Sequence, residues 1–130
     1  MAYNILIVDD SSTIRAVLVK ILKMTKRDIG QIHEAADGRE ALVILQNNWV
    51  DLVLSDINMP VMSGVELINV MSQDPLLKEI PVVVISTDGS SARIEDLKKK
   101  GVKEYIRKPF TPETIGGIID KIMGVTDEKS

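Results

Sequence analysis

The 130-residue chain contains no cysteine. Disulfide scaffolds, thiolate metal centres and thiol catalysis are excluded by that absence alone. It carries a single histidine, His33, so a histidine-rich metal site is excluded as well. Positive charge is not in surplus. The formal net charge is −3, whereas a nucleic-acid-binding surface shows a basic excess, so direct nucleic-acid binding is not expected. The N-terminus offers only four consecutive apolar residues, Ile5 to Val8, before two aspartates. That is neither a signal peptide nor a membrane span, and a soluble cytoplasmic protein without membrane contact is expected. Linkers, repeats and low-complexity tracts are also missing. What remains is 45% apolar and 27% charged, the balance of a globular chain rather than a disordered one. Its length suits one domain that can bury a core without disulfides or a structural metal.

Short apolar runs alternate with longer stretches of helical period. Ile5-Leu6-Ile7-Val8 ends in Asp9-Asp10, Asp51 to Ser55 ends in Asp56, and Val82 to Ile85 ends in Ser86. Apolar runs without alternation suit strands buried on both faces. Ile32 to Ala35 alternates, as an edge strand does, and Glu104-Tyr105-Ile106 forms the last run. Between them, Ile14, Val17, Leu18, Ile21 and Leu22 follow a Ser11-Ser12 start signal at helical spacing, and Ala41, Ile44 and Leu45 follow the Asp37-Gly38 break. Ser63 and Glu66 read as a capping box ahead of Leu67, Ile68 and Met71. Ile94 and Leu97 precede Gly101, a helix stop. Thr111-Pro112 opens a last helix whose apolar face is Ile115, Ile118, Ile119 and Ile122, and which ends near Gly124. Gly116 and Gly117 weaken that helix by roughly 1 kcal/mol each relative to alanine. Five β-α units in sequence predict a doubly wound α/β domain, with a parallel five-stranded sheet and five helices on its two faces. The domain is expected over residues 1–124, with a polar tail over 125–130.

In doubly wound sheets ligands bind beyond the carboxyl ends of the strands, where the strand order reverses. If the order is 2-1-3-4-5, that point lies between strands 1 and 3. Asp9, Asp10 and Asp56 then converge, flanked by Ser86 and Lys108. Three carboxylates in one crevice need a positive partner or raised pKa values. An all-oxygen donor set suits a hard cation, and few protein ligands favour Mg²⁺ over Ca²⁺. The Asp9-Asp10 pair alone is ambiguous, because Asp10 could simply cap the first helix.

Asp9-Asp10, Asp56-Ile57-Asn58-Met59-Pro60 with Gly64, Ile85-Ser86 and Lys108-Pro109-Phe110 together resemble the signature of response-regulator receiver domains. The likeness spans nearly the whole chain and is greatest to single-domain, CheY-like chemotaxis regulators. It implies the flavodoxin-like, CheY-like sheet order 2-1-3-4-5. It further implies that Asp56 accepts a phosphoryl group from the phosphohistidine of a sensor histidine kinase or phosphotransfer protein. Asp9 and Asp10 would hold Mg²⁺, directly or through water, with Asp56 and the backbone carbonyl of Asn58 completing the protein ligands. Lys108 would pair with the phosphoryl oxygens, Ser86 would donate its hydroxyl to one of them, and the Lys108-Pro109 bond would be cis. The physical logic agrees, since phosphoryl transfer depends on positioning and charge neutralisation.

The resemblance also implies a switch. Ser86 moves toward the phosphoryl group, space opens beneath helix 4, and Tyr105 turns inward. Helix 4, strand 5 and helix 5 then present the surface that a downstream protein reads. Lys98 to Lys100, Lys103 and Arg107 give that side a basic character. Two residues depart from the common pattern. Ser86 stands where threonine is usual, which loosens the switch, and Ser11 stands where chemotaxis members often carry a bulkier residue. His33 reads as structural or solvent-facing, Trp49 and Phe110 as packing residues, and Met59 and Met62 as cover for the rim of the site.

Three other readings compete with this one. A phosphatase of the haloacid dehalogenase type also uses a strand-end Asp nucleophile with Mg²⁺, but needs a second acid two residues on. That position is Asn58, which cannot relay a proton. The domain is therefore expected to be a phosphoacceptor rather than an enzyme acting on other substrates, with Asn58 and Asp88 tuning the lifetime of its acyl phosphate. A flavodoxin is disfavoured, because three carboxylates repel a flavin phosphate. The chain could also be the receiver part of a longer regulator. The Met1 start and polar end favour a stand-alone protein.

Overall fold

Each apolar run becomes a strand and each amphipathic stretch a helix, in strict alternation. The structure, a computed structural model, describes residues 2–25, 28–87 and 90–123. The elements are β1 (Tyr3–Val8), α1 (Ser12–Lys23), β2 (Ile29–Ala35), α2 (Gly38–Asn47), β3 (Leu52–Ser55), α3 (Gly64–Ser72), β4 (Val82–Ser86), α4 (Ser91–Lys99), β5 (Val102–Arg107) and α5 (Pro112–Ile122). All five strands are parallel in the order β2-β1-β3-β4-β5, as expected. The polar tail expected over 125–130, and the helix end expected at Gly124, lie outside the described residues.

Alternation along each strand divides the core in two. Leu6, Val8, Val53, Val82 and Val84 face α2, α3 and α4, where they meet Ala41, Leu45, Leu67, Ile68, Met71 and Leu97. Ile5, Ile7, Leu52, Leu54, Val83 and Ile85 face α1 and α5, where they meet Leu18, Ile21, Leu22, Ile115 and Ile119. β4 is buried along its whole length. β2, at the sheet edge, is buried only at Ala35. His33 is half-buried there, in register with Leu6.

The helix starts are set by local chemistry. Ser11, Asp37, Ser63, Ser90 and Thr111 each accept a hydrogen bond from the backbone N–H three residues on. Ser63 and Glu66 form the full reciprocal box. The Asp37-Gly38 pair, read from sequence as a break, is the start of α2 itself. Gly38 is required there because a Cβ would run into Met62.

Two packing expectations are corrected. Trp49 is not a core residue: it is 76% exposed, and its indole N–H donates to Asp51 Oδ1 at 2.8 Å. Its neighbour Val50 takes the buried position instead. Met62 does more than cover a rim. It packs against the core and the start of α2, and its carbonyl accepts from Gly38 N at 2.9 Å. Phe110 packs against the α1–α5 core as expected.

Gly116 and Gly117 sit inside α5 with open space where a Cβ would stand. Nothing in the packing requires glycine there. Gly117→Ala is expected to stabilise the protein by about 0.5–1 kcal/mol, read as a higher urea midpoint at unchanged slope. An equal or lower midpoint would contradict this account of α5.

Candidate functional site

The strand order puts the carboxyl ends of β1 and β3 side by side at the point where connections leave in opposite directions. Val8 pairs with Ser55, so the next residues, Asp9 and Asp56, emerge together. Asp9 N donates to Ala35 O at 3.0 Å, and Asp56 N donates to Val8 O at 2.8 Å. The main chain at both aspartates is therefore fixed by backbone hydrogen bonds.

Burial and hydrogen bonding hold the carboxylates in place. Asp9 is 2% exposed and Asp56 8%. Asp9 Oδ1 accepts from Ser11 N at 2.9 Å, and Asp56 Oδ1 accepts from Ile57 N at 2.7 Å. Their other oxygens share the ammonium of Lys108, 3.0 Å from Asp9 Oδ2 and 3.3 Å from Asp56 Oδ2. The Lys108 backbone is placed by its N–H, which donates to Ser86 O at 2.9 Å, and the Lys108-Pro109 bond is cis. Asp10 is exposed and does not cap α1, a role that Ser11 takes through its bond from Ile14 N. Asp10 is thereby left to the crevice.

Gly64 holds the far wall. Its N–H donates to Ile57 O at 2.7 Å, and any Cβ would collide with the Asp56 carbonyl oxygen. The loop before it turns through Val61 at φ 68°, where Met62 N bonds back to Pro60 O at 2.7 Å. A β-branched residue rarely adopts that conformation, so the loop stores local strain beside the site. Ser86 is fully buried at the end of β4, on the same face as Val84. Tyr105 pairs with Val84 and packs half-buried on that face, one pleat from Ser86. Asn58 is exposed on the loop. Asp88 lies outside the described residues.

The sequence reading missed Arg15. Its Nη1 donates to Asp9 O at 2.6 Å, while its Nε pairs with Glu34 at 3.0 Å. The only available signal was its place in the first turns of α1, close to Asp9 in the chain.

One carboxylate oxygen from each of Asp9, Asp10 and Asp56 lies within 4.8 Å of the other two. Oxygen ligands of a small octahedral cation stand at about 2.1 Å from it, so trans ligands are about 4.2 Å apart. Small side-chain rotations would close the cluster on such an ion, and its all-oxygen chemistry suits a hard cation. The residues present fit a metal.

A doubly wound domain with an aspartate-rich switch point closed by a strand-end lysine is the architecture of a CheY-like receiver. The chain belongs to the response regulator receiver domain family, whose model matches residues 5–120. It is 37% identical to the chemotaxis protein CheY1 of Helicobacter pylori over 127 residues, covering 95% of this chain and 99% of that one. Its fold matches the chemotaxis response regulator CheY4 of Vibrio cholerae at a TM-score of 0.84 and 32% identity, covering 94% and 99% of the two chains. It also matches the CheY of Borrelia burgdorferi, solved as a CheX-CheY-BeF3-Mg²⁺ complex, at a TM-score of 0.83 and 32% identity over 93% and 89%. Among the described residues no helix is long and apolar enough to cross a membrane.

Burial works to lower the Lys108 pKa. The hydrogen bond to Asp9, the charges of Asp56 and Asp9 and the hydrogen bond to Asp56 together outweigh it, so the pKa stands above the ordinary 10.5. A raised pKa means that the folded state favours the charged form. Its stabilising contribution is complete below pH 10.5 and is lost as pH rises through the folded-state value. Lys108→Met leaves the acidic cluster without its cation and is expected to cost about 1–3 kcal/mol at pH 7. Urea midpoints should differ most at neutral pH and converge above the wild-type lysine pKa. Millimolar Mg²⁺ should recover more stability in the variant than in the wild type. A gap that does not change with pH would contradict the ion-pair account.

Proposed function

We propose that this chain is the phosphorylatable receiver of a two-component system, with Asp56 taking a phosphoryl group from a histidine kinase or phosphotransfer protein. The observation that carries this reading is the Lys108 ammonium shared between Asp9 and Asp56, beside a cluster of three carboxylates. The cluster can take a cation while the lysine remains to meet an anion.

The residues would divide the work as follows. Asp9, Asp10, Asp56 and the backbone carbonyl of Asn58 would hold Mg²⁺. When bound, the ion supplies positive charge against the repulsion between carboxylate and phosphate. An oxygen of Asp56 attacks phosphorus, and the bond to the donor's imidazole nitrogen breaks with its electron pair left on nitrogen. The product is a mixed anhydride on Asp56. Lys108 turns from the carboxylates to the phosphoryl oxygens, where its charge stabilises the transferring group. The Ser86 hydroxyl donates to one of those oxygens. Asn58 cannot act as a general acid, so the anhydride persists until water attacks it. The domain promotes its own phosphorylation and dephosphorylation and turns over no other substrate. BeF3 and Mg²⁺ in the Borrelia complex are in keeping with this chemistry.

The signal would pass from Ser86 to Tyr105, which lie on one face of neighbouring strands. α4 is the element best suited to respond, because Leu97 is its one buried side chain, and lightly packed elements move at low cost. The α4–β5–α5 surface would then be read by a downstream protein, with the domain acting in the cytoplasm as a chemotaxis-type or phosphorelay regulator.

Acetyl phosphate with Mg²⁺ should add one labile phosphoryl group to the intact mass. The adduct should be absent from Asp56→Asn and from chelated protein. An adduct of equal yield on Asp56→Asn would overturn the assignment. Ser86→Ala should still be phosphorylated, but the amide resonances of α4 and β5 should move less than half as far as in the wild type. Full movement without the hydroxyl would remove Ser86 from the switch.

A further inference from the structure

At the end of the sheet opposite Asp56 lies a second surface that the phosphoryl chemistry does not use. A groove of about 440 Å³ runs between the end of α2 and the segment leading into β4. Its apolar walls include Leu45, Trp49, Leu76, Ile80 and Pro81. Leu76 is 86% exposed and Trp49 76%, although both flank a concave site that could have drawn them in. Trp49 is not loose. Its indole N–H is tied to Asp51, whose other oxygen accepts from Asn4 N at 2.8 Å, so the exposed ring is anchored through the residue before β3 to β1. Holding a tryptophan outward pre-pays its ordering cost, and buried tryptophans are prominent among the residues that dominate binding energy.

The rim is acidic. Asp51 and Glu79 line the groove, and among the described residues neither has a lysine or arginine partner. Among the described residues no basic residue lines it, while Lys103 and Lys121 line the neighbouring groove on the other side of Glu79. Lys78, on the same segment, is exposed but does not line it. A second copy docking through the same groove would set four carboxylates face to face, which disfavours self-pairing. We propose that this groove docks a basic amphipathic segment of a partner protein, which places a bulky apolar side chain between Trp49 and Leu76 and a lysine or arginine against Glu79 and Asp51. The surface lies a strand's length from Asp56 and is independent of the phosphorylation reading. It would tether the partner in either state of the switch.

Trp49 is the protein's one tryptophan, so emission excited at the red edge of the band, where Tyr3 and Tyr105 do not absorb, reports on the groove alone. The full chain, unphosphorylated, is titrated with two synthetic amphipathic helical peptides of identical leucine spacing, one bearing lysines and one glutamates. The lysine peptide should shift the emission to shorter wavelength and saturate, at least about tenfold tighter than the glutamate peptide. Leu76→Ser and Glu79→Lys alter exposed side chains and should leave the fold intact. The first should abolish the shift, and the second should reverse or equalise the charge preference. No shift with the lysine peptide, a shift that Leu76→Ser retains, or a charge preference that Glu79→Lys leaves unchanged, overturns the proposal. A blue shift that grows with protein concentration alone would assign the groove to a second copy and likewise overturn it.

Discussion

One ammonium group holds this molecule's chemistry together. Asp9 and Asp56 are brought side by side by the pairing of β1 with β3, and each is almost fully buried. Two buried carboxylates with a third nearby would repel one another and oppose closure of the sheet at its most important point. Lys108 resolves this by reaching across from the end of β5, and its own pKa rises in consequence. The same charge that stabilises the domain without a ligand is, on the function proposed above, the charge an incoming phosphoryl group would meet. On that proposal stability and reactivity rest on one residue, and a cation in the cluster would free it from the first duty for the second.

The rest of the site is a set of backbone constraints around that pair. Asp9 is fixed on its N–H by Ala35, on its carbonyl by Arg15 and on its carboxylate by Ser11. Asp56 is fixed by Val8, Ile57 and the close approach of Gly64. Such pre-organisation suits a reaction that asks for position and charge more than for acid–base chemistry. The outer elements are held less firmly. α4 contributes one buried leucine to the core, which leaves it free to respond to changes near Ser86.

Much of this was legible in the sequence. The unbroken apolar runs of β1, β3 and β4 marked strands covered on both faces, and the alternation in β2 marked an edge. The capping signals at Ser11, Ser63 and Thr111 placed helix starts correctly. Asp9, Asp10, Asp56 and Ser86 stood out as polar residues at the ends of apolar runs, and Lys108 by its place before Pro109-Phe110 after the last strand. The sheet order came from resemblance, because periodicity assigns faces but not neighbours. Long-range contacts were harder to read. Arg15 carries no local mark of its bond to the Asp9 carbonyl, and Gly38 looked like a break because the Met62 side chain that demands it is distant in sequence. Trp49 misled because bulk and apolarity predict burial, whereas a single hydrogen bond to Asp51 and the burial of Val50 beside it turn the ring outward.

The central claim is that Asp56, and no other carboxylate of the cluster, forms the acyl phosphate. Borohydride reduces an aspartyl phosphate to homoserine, so reduction after phosphorylation in Mg²⁺, followed by peptide sequencing, locates the acceptor directly. Homoserine at position 56 alone is the result this account predicts. Homoserine at position 9 or 10, or none at all in protein that binds Mg²⁺, would contradict it.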